Sequence, residues 1–233
     1  MQLLRKADER GTANYGWLET AHTFSFSDYY DPEFMGFSAL CVINEDRIAA
    51  GKGFPMHPHR DMEIITYVVE GGLEHKDSMG NSSVIKPGEV QYMSAGTGVR
   101  HSEASVGEAG SMTHLYQIWI MPDKTGLAPS YGQKSFSAEL EKGGLVLTAS
   151  NDGRDGSIKI NQNAELYIGR LKKGASSELN LKADRKAWVQ VVKGSIKVNG
   201  QILESSDGSA FSDEAALKLS AESDAEVLIF NLP

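Results

Sequence analysis

The chain has 233 residues, of which 40% are apolar and 8% aromatic, a net charge of −8 and a pI near 5.3. That is enough apolar chain for one large core or two smaller ones. The acidic and dispersed charge argues against binding nucleic acid phosphates directly and against anionic membranes.

The first sixteen residues, MQLLRKADERGTANYG, hold no apolar run of signal-peptide length, and no stretch approaches the ~20 apolar residues of a spanning helix. A soluble cytoplasmic protein is therefore expected. The elements that follow have the composition of strands: FSALCVIN (37–44), EIITYVVEG (63–71), HLYQIWIM (114–121), WVQVVKGSIKVNG (188–200) and AEVLIFNL (225–232). They are short, rich in β-branched and aromatic residues, and separated by Gly, Asn, Asp and Ser. The lone cysteine, Cys41, lies in the first of them and reads as a small buried hydrophobe. MGNSS around Gly80 and Asn199-Gly200 are turn signals, the second that of a type I′ hairpin. SDEAALKLSAES (212–223) offers at most one helical turn. An all-β chain of sandwiches or barrels is predicted.

MPDKTGLAPSYGQKSF (121–136) breaks the pattern and reads as a linker, dividing the chain into residues 1–130 and 131–233. The two sides look alike. TYVVEG (66–71) resembles VQVVKG (189–194), KPGEVQYMSA resembles SSDGSAFSDE, and each half ends in a strongly apolar strand. Two copies of one β unit are expected.

All six histidines precede that linker. In GFPMHPHRDMEI (53–64), His57 and His59 would share one face of a strand, their Cα atoms about 6.6 Å apart at ~3.3 Å per residue. In GTGVRHSEAS (96–105), His101 and Glu103 repeat that spacing after a turn that Gly96 and Gly98 permit. Three imidazoles and a carboxylate suit a divalent transition metal and leave open coordination positions. Glu63 and Glu103 compete as the carboxylate on these grounds. His22 reads as a satisfied structural residue, His75 as solvated or at the edge of the site, and His114, which begins an apolar strand, as packed near the pocket.

These motifs resemble the cupin superfamily. Gly51, five residues, then His57-Pro58-His59 match the first cupin motif. Gly96, Gly98, His101 and Ser105 match the second, with Gly96 in place of a Pro and Ser105 in place of an Asn. HTFSFSDYYDPEFMGFSALCVIN, HPHRDMEIITYVVEGGLEHKDSMGN and MSAGTGVRHSE, in succession, resemble pirin signatures across most of residues 1–122.

The resemblance implies a bicupin: two tandem jelly-roll barrels, an N-terminal metal-binding domain (1–130) and a degenerate C-terminal domain (131–233) without metal. It implies one divalent metal per chain on His57, His59, His101 and Glu103, and not on Glu63. Fe(II) is the first expectation, and Zn, Ni, Co, Mn and Cu suit the same donors. TYVVEG aligned on VQVVKG places Asn180 and Lys182 opposite His57 and His59, and Gly88 aligned on Gly208 places Ala221 and Ser223 opposite His101 and Glu103. Similarity to bacterial pirins implies a quercetin 2,3-dioxygenase that opens a flavonol ring with O2 and releases CO. Glu103 would take the proton of the substrate's 3-hydroxyl, and Phe54 and Met56 would face the flat substrate. The alternatives are a related oxygenase with another substrate, or a metal-dependent transcriptional co-regulator that contacts protein rather than DNA. A monomer is expected, because two domains can cover each other's faces.

Overall fold

The computed structural model describes residues 3–233. It divides into two compact units. One comprises Gly11–Ser135 with Ile160–Gln162; the other comprises residues 3–10, Phe136–Lys159 and Asn163–Pro233. No helix among the described residues is long and apolar enough to cross a membrane.

After a short strand β1 (Leu3–Arg5), the first unit is built from β2 (Gly11–Asn14), β3 (Leu18–His22), β4 (Leu40–Ala49), β5 (Gly53–His59), β6 (Glu63–Glu70), β7 (Leu73–Asp77), β8 (Ser82–Ile85), β9 (Glu89–Ser94), β10 (Val99–Ser105), β11 (Met112–Ile120) and β12 (Ser130–Ser135). They form a four-stranded sheet, β5-β10-β7-β8, and a seven-stranded sheet, β12-β9-β6-β11-β4-β3-β2. The second unit adds β13 (Gly144–Ser150), β14 (Ile158–Lys159), β15 (Glu165–Leu171), β16 (Ser176–Asn180), β17 (Lys186–Lys193), β18 (Ile196–Val198), β19 (Gln201–Leu203), β20 (Gly208–Ser212), β21 (Ala216–Ala221) and β22 (Ala225–Leu232). Its sheets run β16-β21-β18-β19 and β1-β20-β17-β22-β15-β13-β14.

The two orders repeat position for position, so the expected duplication is present in the topology. The chain is a bicupin of two jelly-roll sandwiches. The hairpin turns lie where Gly and Asn allow positive φ: Gly71 (79°) after β6, Gly194 (80°) after β17, and Asn199-Gly200 (46° and 89°) between β18 and β19.

Two local expectations differ from the structure. Residues 130–135 of the supposed linker form β12, paired to β9 from Ser130↔Ser94 to Ser135↔Glu89. The Pro- and Gly-rich stretch hides an edge strand, which needs only one paired side. The division at residue 130 therefore departs from the observed units, since β12 and residues 160–162 belong with the first and residues 3–10 with the second. SDEAALKLSAES, which offers at most one helical turn, holds strand β21, whose Leu217, Leu219 and Ala221 alternate inward.

Inside the first sandwich the side chains fall into three rows, set by the register of the large sheet. At one end Leu18, Ile48, Val68, Leu73, Ile85 and Leu115 form an apolar cluster, with Trp17 and Phe54 packed against it. At the other end Ile64, Met93 and Val99 pack with Met62 and Trp119. Fully burying each such side chain is worth about 1.5–3 kcal/mol. Between the clusters runs a polar row, His22, Asn44, Gln117, Thr66, Gln91 and Gln133, each opposite the next across β3, β4, β11, β6, β9 and β12. A polar stripe between two apolar clusters is the place where this core departs from simple packing.

Candidate metal centre

Strands β5 and β10 are antiparallel neighbours, with His101 directly opposite His57 and Val99 opposite His59. Alternation puts all three imidazoles on the inward face. Ring centroids are 4.8 Å apart for His57 and His59, 4.4 Å for His57 and His101, and 4.8 Å for His59 and His101. The strands approach closely because Gly53 has no side chain: a Cβ there would lie 2.0 Å from the Glu103 carbonyl oxygen. The turn into β10 is equally constrained, since a Cβ on Gly96 would meet the Leu127 carbonyl oxygen at 2.1 Å.

The ring nitrogens of His57, His59 and His101 lie within 4.8 Å of one another. His57 Nδ1 is 2.7 Å from the Pro55 carbonyl oxygen. A carbonyl only accepts, so Nδ1 carries the proton and Nε2 keeps its lone pair. Nε2 of His59 and of His101 are buried with no hydrogen-bond partner among the described residues. Burial and the neighbouring His57 lower the His59 pKa to about 4. Burial, then His57, His59 and His75, lower that of His101 to about 2, a nearby Asp77 notwithstanding. Both imidazoles are neutral at pH 7, the form that binds a cation. Buried, unpaired, neutral nitrogens facing one point are the donor set a divalent metal requires.

Glu103 follows His101 on the same face and is 2% exposed. Its carboxylate accepts from Gln117 Nε2, at 3.1 Å to Oε1 and 2.9 Å to Oε2. Burial pushes its pKa up to about 7; the Gln117 bond opposes that rise and the charge of Asp46 adds to it. Glu103 also forms a second group of converging donor atoms with His101 and His75.

His75 is where the sequence reading fell short. Of the two readings offered for it, solvated fails and the edge of the site agrees: it is fully buried, opposite Glu103 in the β7–β10 pairing. Its Nε2 lies 3.1 Å from Asp77 Oδ2 and its Nδ1 lies 3.4 Å from His101 Nδ1. The signal was present as HKD, the same i, i+2 spacing as HSE, but only the strand pairing brings the two together. Glu63 is also fully buried, bound by the Tyr92 hydroxyl and by Asn161 N–H at 2.7 Å. It does not belong to either group of converging donors. His22 bonds Asn44 at 2.8 Å and His114 bonds Glu45 at 2.9 Å, as structural residues do. Burial pushes the Cys41 thiol up to about 11, so it is protonated at pH 7. Phe54 packs against Trp17 in the core, and Met56 is 45% exposed.

In the second unit the corresponding strands, β16 and β21, pair Ser177 with Leu219 and Leu179 with Leu217. The inward positions of β21 are Leu217, Leu219 and Ala221, all in the hydrophobic core. Asn180 and Lys182, aligned on the histidines from sequence, point outward and are exposed. Lys182 lies beyond the end of β16, whereas Ala221, aligned on His101, is on the inward face of β21.

A family model described as Pirin matches residues 4–120. The chain belongs to the pirin family. A second model, described as quercetinase C-terminal cupin domain, matches residues 147–232. Among pirin relatives, the quercetin 2,3-dioxygenase of Escherichia coli K12 is 54% identical over 233 residues, covering 100% of this chain and 99% of its own. A crystal structure of the bacterial pirin YhhW from Escherichia coli, in complex with nickel(II), matches with a TM-score of 0.94 and 54% identity, covering 100% of this chain and 99% of that one. A pirin-like protein of Caulobacter vibrioides is 41% identical over 95% of each chain.

Proposed function

We propose that this pirin is a quercetin 2,3-dioxygenase, holding one divalent metal on His57, His59, His101 and Glu103. The observation that carries the reading is the convergence of three imidazoles, two with buried Nε2 atoms that no group among the described residues satisfies. The name of the Escherichia coli relative supplies the substrate class, and the nickel(II) in the YhhW complex makes nickel the first metal to test, with Fe(II) beside it.

When bound, the metal supplies Lewis acidity that lowers the pKa of the flavonol's 3-hydroxyl. Glu103 accepts that proton. In the metal-free chain burial raises its pKa to about 7. Gln117 holds the carboxylate in place through Nε2 and is itself held by Trp119 Nε1, 3.3 Å from its Oε1. The Trp119 ring also stands edge-on to His59, with centroids 5.0 Å apart, and limits its rotation. Ring opening then consumes one O2 per flavonol and releases one CO. The second unit, with leucines at the inward positions of its matching strands, is proposed to bind no metal.

The test is oxygen uptake and CO release by protein reconstituted with nickel(II) or Fe(II), over a flavonol panel. Turnover abolished by a chelator and by His101→Ala supports the reading. Full metal content and full turnover in His101→Ala would remove it.

A further inference from the structure

We propose that His75 is a positioning residue for the imidazole of His101, fixing the tautomer in which His101 can bind a metal. The inference rests on the reading of His101 as a ligand. It begins at Asp77, at the end of β7, whose carboxylate is anchored in a turn. Oδ1 accepts the backbone N–H groups of Met79 at 2.9 Å and Asn81 at 3.0 Å. Oδ2 accepts Asn81 Nδ2 at 2.8 Å and faces His75 Nε2 at 3.1 Å.

An ionised carboxylate can only accept, so His75 carries its proton on Nε2. A neutral imidazole then has a bare Nδ1. That atom lies 3.4 Å from His101 Nδ1, a long contact that needs one donor and one acceptor. His75 must be the acceptor, so His101 donates from Nδ1 and its Nε2 is left with a lone pair. Nε2 is the buried atom with no partner among the described residues. His57 receives the same service from the Pro55 carbonyl. The Tyr131 ring, 5.1 Å from the His75 ring, packs against it and holds it in this line.

The same geometry decides between the two groups of converging donors. His75 could instead be a ligand beside His101 and Glu103, but both of its ring nitrogens are already engaged. Partners behind a metal-binding His are typically worth about 10–100-fold in metal affinity.

The experiment measures nickel(II) affinity of the full-length protein by chelator competition. It also reads the His101 tautomer of the metal-free protein by long-range ¹⁵N–¹H NMR. In D77N the two backbone N–H groups hold the amide oxygen, so the amide nitrogen faces His75 and reverses the whole chain of tautomers. D77N and H75L are expected to lose about 10–100-fold in nickel affinity and to move the His101 proton toward Nε2. H75N, whose amide oxygen can replace the Nδ1 acceptor, should recover most of the loss. Wild-type affinity and tautomer in H75L, with binding lost in H101A, would overturn the inference and leave the ligand reading intact. Wild-type nickel binding in H101A removes the ligand reading and the inference with it. Loss of one coordinated imidazole in H75L, by X-ray absorption, would also overturn it.

Discussion

Trp119 decides which way the amide of Gln117 points. Its indole N–H can only donate, and it lies 3.3 Å from Gln117 Oε1, so the amide nitrogen is left facing Glu103. A tryptophan two residues along the same strand thereby secures a donor to the Glu103 carboxylate.

Gln117→Leu should weaken metal binding near neutrality. The Gln117 bond favours the charged form of Glu103, so its loss raises a pKa already near 7. Below that pKa Glu103 holds a proton that the metal must displace, and affinity falls as pH drops. His59 and His101, with pKa values of about 4 and about 2, add no titration of their own between pH 5 and 8. Nickel titrations from pH 5.5 to 8.5 should show an inflection near pH 7 in the wild type and at higher pH in Q117L. Coincident curves would show that Gln117 does not tune the carboxylate.

Asp46 should make the metal-free protein less stable as pH rises. Burial pushes its carboxyl up to about 6; the Thr20 hydroxyl and His114 pull it down and Glu45 pushes it further up. A folded pKa above the unfolded value means the folded chain binds the proton more tightly. The contribution is complete below about pH 4 and is lost as pH rises through about 6. Asp46→Asn should therefore gain on the wild type at pH 8, by on the order of 2–3 kcal/mol at 1.36 kcal/mol per pKa unit. The gain should shrink toward pH 4. Urea denaturation of both proteins across that range measures the difference, and one shared pH profile would show that Asp46 does not titrate there.

Glu63→Leu should cost stability without costing metal. The change leaves the buried Tyr92 hydroxyl without its acceptor, at about 1–3 kcal/mol, and removes the acceptor of the half-buried Asn161 N–H as well. Nickel stoichiometry, measured on folded protein, should stay at that of the wild type. A drop in stoichiometry would place Glu63 among the ligands.

The fold class was readable because strand alternation and turn residues are local signals. The duplication was readable because VVEG and VVKG stand at matching places in the two halves. His57, His59, His101 and Glu103 could be nominated because each pair sits at i, i+2. The polar row could not be read. His22, Asn44, Gln117, Thr66, Gln91 and Gln133 are scattered through six segments, and only strand register lines them up. His75 was missed for the same reason: its partner His101 is on another strand. β12 was missed because Pro and Gly around it mask a short edge strand.

The Asn161 N–H that binds Glu63 has a consequence for how the protein is made. Glu63 emerges from the ribosome roughly a hundred residues ahead of Asn161, which at about 5–20 residues per second is a wait of roughly 5–20 s. Through that interval the carboxylate lacks a partner that the finished core provides. The N-terminal barrel therefore gains this partner only once Asn161 has been made, and a messenger truncated at the end of β12 would encode a barrel with that gap still open.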